Sequence, residues 1–295
     1  MFAKIGTNKI KKYGSRGTNN MNAIKNKSLK LFFILVIVLS AIIDIFLIKT
    51  KNTLFYLPLM WSPAIVALIA NIYEQVSNKE KLNIKKLFNG LGFKLCNIKY
   101  NLLGILLPLI YLLIPYIIYW IMYPNNFAYT GVPISLILSD CLPVMIVGIF
   151  GSMLSALGEE IGWRGYMVPA LNEKYGAKKA LIISSLFWCI WHFPLIIFGV
   201  YLSDLPLYYQ LPMFVLVIFP VGIICGIYAL KTSSVWPSAF LHAAHNNYDQ
   251  TVFQVITRGE NMFYFVSEMG ILTIVCVWVV ALFVYLKNKN ILHNK

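Results

Sequence analysis

Apolar residues along this chain come in long unbroken runs, not in the polar and apolar alternation of half-buried strands. Eight runs, Leu31–Ile48, Leu54–Tyr73, Leu102–Tyr123, Pro133–Leu157, Ala180–Val200, Leu207–Leu230, Val235–Ile256 and Met262–Leu286, are near or above the ~20 residues that carry a helix across a bilayer. The alternating pattern of a membrane barrel is absent. The pattern predicts an all-α, polytopic transmembrane helix bundle of about eight spans. Pro58 and Pro63 fall inside the second run, where neighbouring helices satisfy the carbonyls that proline frees. Between Tyr73 and Tyr100 lysines are interleaved with Leu82, Ile84, Leu87, Phe88 and Leu91 at roughly helical spacing, which predicts an interfacial amphipathic helix.

Composition agrees: 59% of the 295 residues are hydrophobic and 12% charged, against roughly 25% charged in an average soluble domain. The net charge of +14 would suggest nucleic acid in a soluble chain, but its placement says otherwise. Of the 25 Lys and Arg residues, 22 lie in the segment through Lys30, the even-numbered connections or the C-terminal tail, leaving Lys49, Lys51 and Arg258 on the other side. This bias puts both termini in the cytoplasm and favours an even number of spans. The basic charge therefore serves orientation and attraction to anionic lipid, with no nucleic-acid partner implied.

Residues 1–28 are basic, Asn-rich and free of acidic side chains, and are expected to form a disordered cytoplasmic tail. Residues 29–287 make one membrane domain with the polar motifs within about 133–256, and 288–295 a short basic tail. No small-x-small cleavage site follows Ile48, so the first span is expected to stay attached. The five cysteines have no paired spacing and suggest neither a disulfide framework nor a thiolate metal site.

Three polar clusters interrupt the apolar runs. In the stretch Gly158 to Tyr166, Glu160 and Arg164 lie one helical turn apart and can pair, whereas Glu159 is rotated by about 100° and left free. A salt bridge marking a helix end would explain the pair, yet ionisable groups at membrane depth point to function by default. His192 follows Phe187-Trp188-Cys189-Ile190-Trp191; a packing role is the plain reading, but Pro194 deprives a carbonyl one turn earlier of its partner and opens a polar pocket. In Trp236 to Asp249, His242/Asn246 and His245/Asp249 share a four-residue spacing, and periodicity does not choose between them. His242 lies about 9 Å along its helix, inside the hydrocarbon.

Together the clusters supply a base to activate water and donors for a developing oxyanion, the inventory for amide hydrolysis. Neither His-Glu-x-x-His nor Gly-x-Ser-x-Gly occurs. Zinc stays open as a cofactor, because Glu159, His192 and His242 are admissible ligands and three ligands with water suffice.

In order and type, Glu159-Glu160-x-x-x-Arg164, the aromatic-x-x-x-His ending at His192, and His242-x-x-x-Asn246 resemble the three motifs of the CPBP intramembrane proteases. That family, also called Abi, includes the CAAX prenyl endopeptidases and bacterial relatives linked to bacteriocin processing and self-immunity. The resemblance covers about Met60–Asp249 and takes in Met60-Trp61-Ser62-Pro63. It implies Glu159 as general base, His192 sharing its water, His242 and Asn246 as oxyanion donors, and Glu160 with Arg164 as structural support. It also favours the His242/Asn246 register. Family members have been described both as metalloproteases and as glutamate-dependent enzymes, so the resemblance leaves zinc open. Trp188 stands where the family usually has Phe.

The expected protein is a multi-pass enzyme of a bacterial plasma membrane that cleaves a membrane-associated peptide or protein, such as a bacteriocin or signalling precursor. The alternative is a non-catalytic immunity or transport protein binding a peptide in the same cavity. One geometric condition attaches to the enzyme. With the fourth run ending at Leu157, Glu159 falls near the cytoplasmic end of its span, whereas His192 lies ~20 Å along its helix from Lys179. The two meet only if the fourth span starts nearer Pro143 and the fifth begins outside the hydrocarbon.

Overall fold

The computed structural model describes the backbone of residues 3–201 and 205–293, and side chains from Met21 to Leu292 apart from 202–204. Within these residues the chain is helical, with no strand beyond a single bridge between Phe127 and Thr257. The helices are α1 (Ala3–Thr50), α2 (Tyr56–Ser77), α3 (Ile84–Gly90), α4 (Ile98–Met122), α5 (Ile134–Glu160), α6 (Val168–Tyr175), α7 (Ala177–Trp191), α8 (Phe193–Ile197), α9 (Leu207–Thr232), α10 (Trp236–Asn246), α11 (Met262–Phe265), α12 (Ile271–Lys287) and α13 (Lys289–His293). Six helical segments among the described residues are long and apolar enough to cross a membrane, and the 17-residue α12 is a shorter apolar helix. The chain is a multi-pass membrane protein.

Several boundaries differ from the sequence reading for physical reasons. Of the expected disordered tail, the backbone from Ala3 on belongs to α1, and among its described side chains Ser28 is buried, donating to the Ala70 carbonyl at 2.8 Å and sharing a 2.6 Å bond with the Tyr166 hydroxyl. The interfacial helix is the seven-residue α3, capped by the Asn83 side chain and anchored through buried Leu87. The last apolar run is broken at Ser267, whose positive φ turns the chain so that Glu268 faces inward.

The largest difference concerns α5. Its helix does not stop near Leu157 but passes through one wide π-helical stretch, Ile161–Met167, into α6, a continuous 42-residue segment. At 1.5 Å per residue that is about 60 Å, twice the hydrocarbon thickness. The chain then reverses at Gly176, whose φ of 80° suits only glycine, and α7 runs back alongside. Glu159 lies 17 residues before that glycine and His192 16 residues after it. The two arms are thus nearly equal, about 24–26 Å, and bring the two residues to the same depth. The sequence condition is met by lengthening the hairpin, with the fourth helix starting at Ile134 and not near Pro143.

Packing centres on α10, which lies between α4 and α5 and also touches α9. Its residues from Pro237 to His245 are buried except Phe240. A second π-helical stretch, Asn247–Phe253, continues it. Such wide turns occur often at functional sites, and here each one follows a polar motif. On the far side α5 lies against α2, and a Cβ on Gly162 would come within 2.3 Å of the Pro63 ring. That close approach is what the Met60 to Pro63 stretch provides.

Candidate active site

The first motif sits where α5 meets its π-helical stretch, and both carboxylates are fully buried. Glu160 and Arg164, one turn apart, form the pair that their spacing predicts: Arg164 Nη1 donates to Glu160 Oε1 at 2.8 Å. Arg164 had been grouped with the cytoplasmic charges, but it is 2% exposed, and its guanidinium lies 4.2 Å from the centre of the Trp188 ring. Glu160 Oε1 also accepts from His242 Nδ1 at 3.0 Å, joining the first motif to the third.

Glu159 is held differently. The indole N–H groups of Trp188 and Trp163 both donate to its Oε2, at 2.7 and 3.2 Å. Its Oε1 is buried and has no hydrogen-bond partner among the described residues. One oxygen is therefore fixed by two neutral donors while the other keeps its lone pairs free, the arrangement a general base needs.

His192 occupies the break between α7 and α8. Its Nδ1 lies 2.8 Å from the Trp188 carbonyl, which only accepts, so Nδ1 carries the hydrogen and Nε2 presents a lone pair in the neutral ring. Trp188, Trp191, Tyr201 and Phe214 surround the imidazole with ring centres 5.0–5.8 Å away. For His242 the carboxylate of Glu160 likewise makes Nδ1 the donor, and Nε2, across the ring, donates only when the ring carries a second proton. Trp188 also meets His242, at 5.2 Å between ring centres. One indole thus touches Glu159, Arg164, His192 and His242, and the Glu159 charge lies close enough to act electrostatically on both imidazoles. Asn246 follows one turn beyond His242, half-buried, its amide without a hydrogen bond to any described residue.

The competing pair, His245 and Asp249, belongs to another network. His245 bonds the Tyr111 hydroxyl at 2.9 Å and Glu268 Oε1 at 3.1 Å. Asp249 accepts from Tyr116, Ser267 and Gln254 at 2.8–2.9 Å, and Tyr201 donates to Glu268 Oε2 at 2.8 Å. No side-chain atom of His245, Asp249 or Glu268 is left unpartnered.

Sequence reasoning missed two kinds of residue here. Trp163 and Trp188 carry no hydrogen-bonding role in the sequence reading, and their indole donors to Glu159 give them one. Glu268 carried a signal, as a lone acid in an apolar run. Among the described residues no three His, Cys, Asp or Glu side chains are grouped to hold a metal ion, the set Glu159, His192 and His242 included. The donor set still holds free ligand atoms: Glu159 Oε1 has no partner among the described residues, and His192 and His242 each present Nε2 while Nδ1 is held by a carbonyl or a carboxylate.

Residues 141–248 match a family model described as Type II CAAX prenyl endopeptidase Rce1-like, a span holding all three motifs. A curated relative, CAAX prenyl protease 2 of Methanococcus maripaludis, is 30% identical over 196 residues, covering 60% of this chain and 64% of the relative. The match thus spans somewhat less than two thirds of that relative's length. The resemblance that the motifs carry is borne out.

Proposed function

From the CAAX-protease family that the motifs and both matches support, we propose that this protein is an intramembrane endopeptidase acting on a membrane-associated peptide or protein. The observation that carries the reading is the Glu159 carboxylate, with Oε2 fixed by two indole N–H groups, one of them from the Trp188 ring that packs on both imidazoles, and Oε1 free. Glu159 Oε1 takes a proton from a water that His192 Nε2 orients, and the water oxygen bonds to the scissile carbonyl carbon. The charge on the carbonyl oxygen is met by the Asn246 amide and by His242 Nε2–H when that ring is protonated, supported by Glu160. When the C–N bond breaks, the proton held by Glu159 passes to the leaving nitrogen. Burial around these groups strengthens each electrostatic contribution.

The relative's name attaches a prenylated CAAX substrate to that relative. For this chain the substrate class is a peptide held at the membrane, with precursor maturation or bacteriocin self-immunity as the setting and a bacterial plasma membrane as the location. Glu159→Gln tests the reading: cleavage of such a peptide should fall by about 10²–10⁴-fold at unchanged membrane abundance, and activity should persist in chelator. Wild-type cleavage by this variant would falsify the base assignment. Cleavage abolished by chelator and restored by zinc would assign the water activation to a metal ion instead. His192→Ala separates immunity by cleavage from immunity by sequestration, since toxin protection that survives the loss of cleavage supports the non-catalytic role.

A further inference from the structure

Away from the motifs, the ends of three spans enclose a cavity of about 220 Å³ with lysines at its rim and a largely apolar lining. It lies between the start of α4 and the ends of α9 and α12, the side on which the lysine bias puts the cytoplasm. Lys99, Lys231 and Lys287 all line it. No acidic residue does, and none occurs in the stretches 96–108, 225–235 and 280–292 that build its walls. None of the three lysines is in an ion pair among the described residues. Three uncompensated ammonium groups around one small cavity repel each other, and an anion placed among them removes that cost.

Parts of the site are already ordered. Lys231 Nζ donates to the Asn288 side-chain oxygen at 2.5 Å and lies 5.4 Å from the Tyr100 ring centre, while the Asn288 amide is locked to the Val284 carbonyl at 2.7 Å. The start of the 25-residue α4 adds the positive end of its dipole at Lys99. Deeper in, the lining turns apolar with Leu103, Leu107 and Val284. Just outside, Leu106, Leu282 and Leu286 are 49%, 57% and 49% exposed, an apolar surface running from the cavity along the spans.

We propose that this cavity binds the phosphate of an anionic phospholipid, with the acyl chains lying along that exposed leucine surface. Basic pockets between helices at the cytoplasmic face suit such headgroups. A free phosphate would satisfy the lysines but makes no use of the leucines, and this distinguishes the two sources.

Binding is measured by native mass spectrometry of the purified full chain titrated with phosphatidylglycerol or phosphatidylcholine of the same acyl composition. Wild-type protein should prefer phosphatidylglycerol at least tenfold. The triple variant Lys99→Gln/Lys231→Gln/Lys287→Gln should lose about a hundredfold in phosphatidylglycerol affinity, and a control triple in the α2–α4 loop, Lys79→Gln/Lys81→Gln/Lys85→Gln, should lose none. Should the first triple not fold, Lys99→Gln alone, which removes an exposed and unpaired charge, should still weaken binding about fivefold. Equal losses in the two triples, or equal affinity for the two lipids, overturn the site. Displacement of phosphatidylglycerol by inorganic phosphate overturns the lipid as its source.

Discussion

One helix, α10 with its π-helical extension, serves two buried polar networks that differ in a single respect. On one side His245 and Asp249 join Glu268 in a cluster in which every side-chain atom of the three has a partner. On the other, His242 joins a cluster in which Glu159 Oε1, Glu160 Oε2 and Arg164 Nε have none. Both contain buried carboxylates and a buried histidine, so burial of charge alone does not mark a reactive site. A fully satisfied network rigidifies the fold; unpaired buried polar atoms in native structures ask for a reason, and reaction with water and a peptide supplies one. The comparison teaches that free hydrogen-bonding capacity, not burial, supports the proposed His242/Asn246 register over His245/Asp249.

Beyond the base substitution, the largest effect that sharpens this contrast is expected on the open side. Arg164→Ala leaves the buried Glu160 carboxylate without its guanidinium and removes the cation from the face of Trp188. Breaking a buried pair from one side costs about 3–5 kcal/mol, so the folded fraction in fluorescence-detected size exclusion should drop sharply. An unaltered folded fraction would mean that the pair is solvated and the burial argument wrong. The satisfied side should respond less. Glu268→Gln keeps one acceptor but turns the other oxygen into a donor facing the Tyr201 hydroxyl or His245. A loss of about 1–3 kcal/mol in stability is expected, read as a lowered unfolding midpoint, with cleavage per folded molecule unchanged. Cleavage falling as steeply as in the Glu159 variant would erase the distinction between the networks.

Much of this arrangement was legible in the sequence, because lipid forces apolar runs to be continuous and makes each ionisable group inside them conspicuous. The first six of the eight expected spans, the three polar clusters and the Glu160–Arg164 pair follow from that constraint, whereas the choice of register within the third cluster came from the family resemblance. What stayed hidden lies where the membrane stops dictating. Residues Ile161–Tyr175 mix polar and apolar side chains, so nothing in their pattern says that the helix continues through them to Gly176. The indole donors of Trp163 and Trp188 were invisible for another reason: a tryptophan in an apolar run looks the same whether its N–H meets lipid headgroups or a carboxylate. Glu268 stood out in composition, but its partners come from α10, the π-helical stretch after it and the segment at Tyr201, a convergence that spacing does not encode.

A finer test concerns the position where this chain departs from the usual family residue. Trp188→Phe keeps an aromatic face beneath Arg164 but removes the shorter of the two hydrogen bonds to Glu159 Oε2. Because Trp163 still donates to that oxygen, the carboxylate should be loosened but not released, and the cleavage rate should fall about tenfold with KM unchanged. Trp163→Phe, which removes the 3.2 Å bond, should cost less. A double Trp163→Phe/Trp188→Phe variant as active as wild type would show that fixing Oε2 plays no part in catalysis.

The smallest expected effect tests whether the two networks are separate at all. Tyr201 belongs to both: its hydroxyl donates to Glu268, and its ring packs 5.8 Å from His192. Tyr201→Phe removes the hydroxyl while leaving the ring, so the satisfied network loses one donor and the open one loses no contact. If the networks are independent, stability falls by about 1 kcal/mol and cleavage stays within about twofold, since the imidazole keeps its wall. If cleavage drops as far as in Trp188→Phe, the Glu268 bond must be holding Tyr201 in the place that orients His192. The two clusters would then be one machine, and the contrast between a structural side and a reactive side would fail at the residue they share.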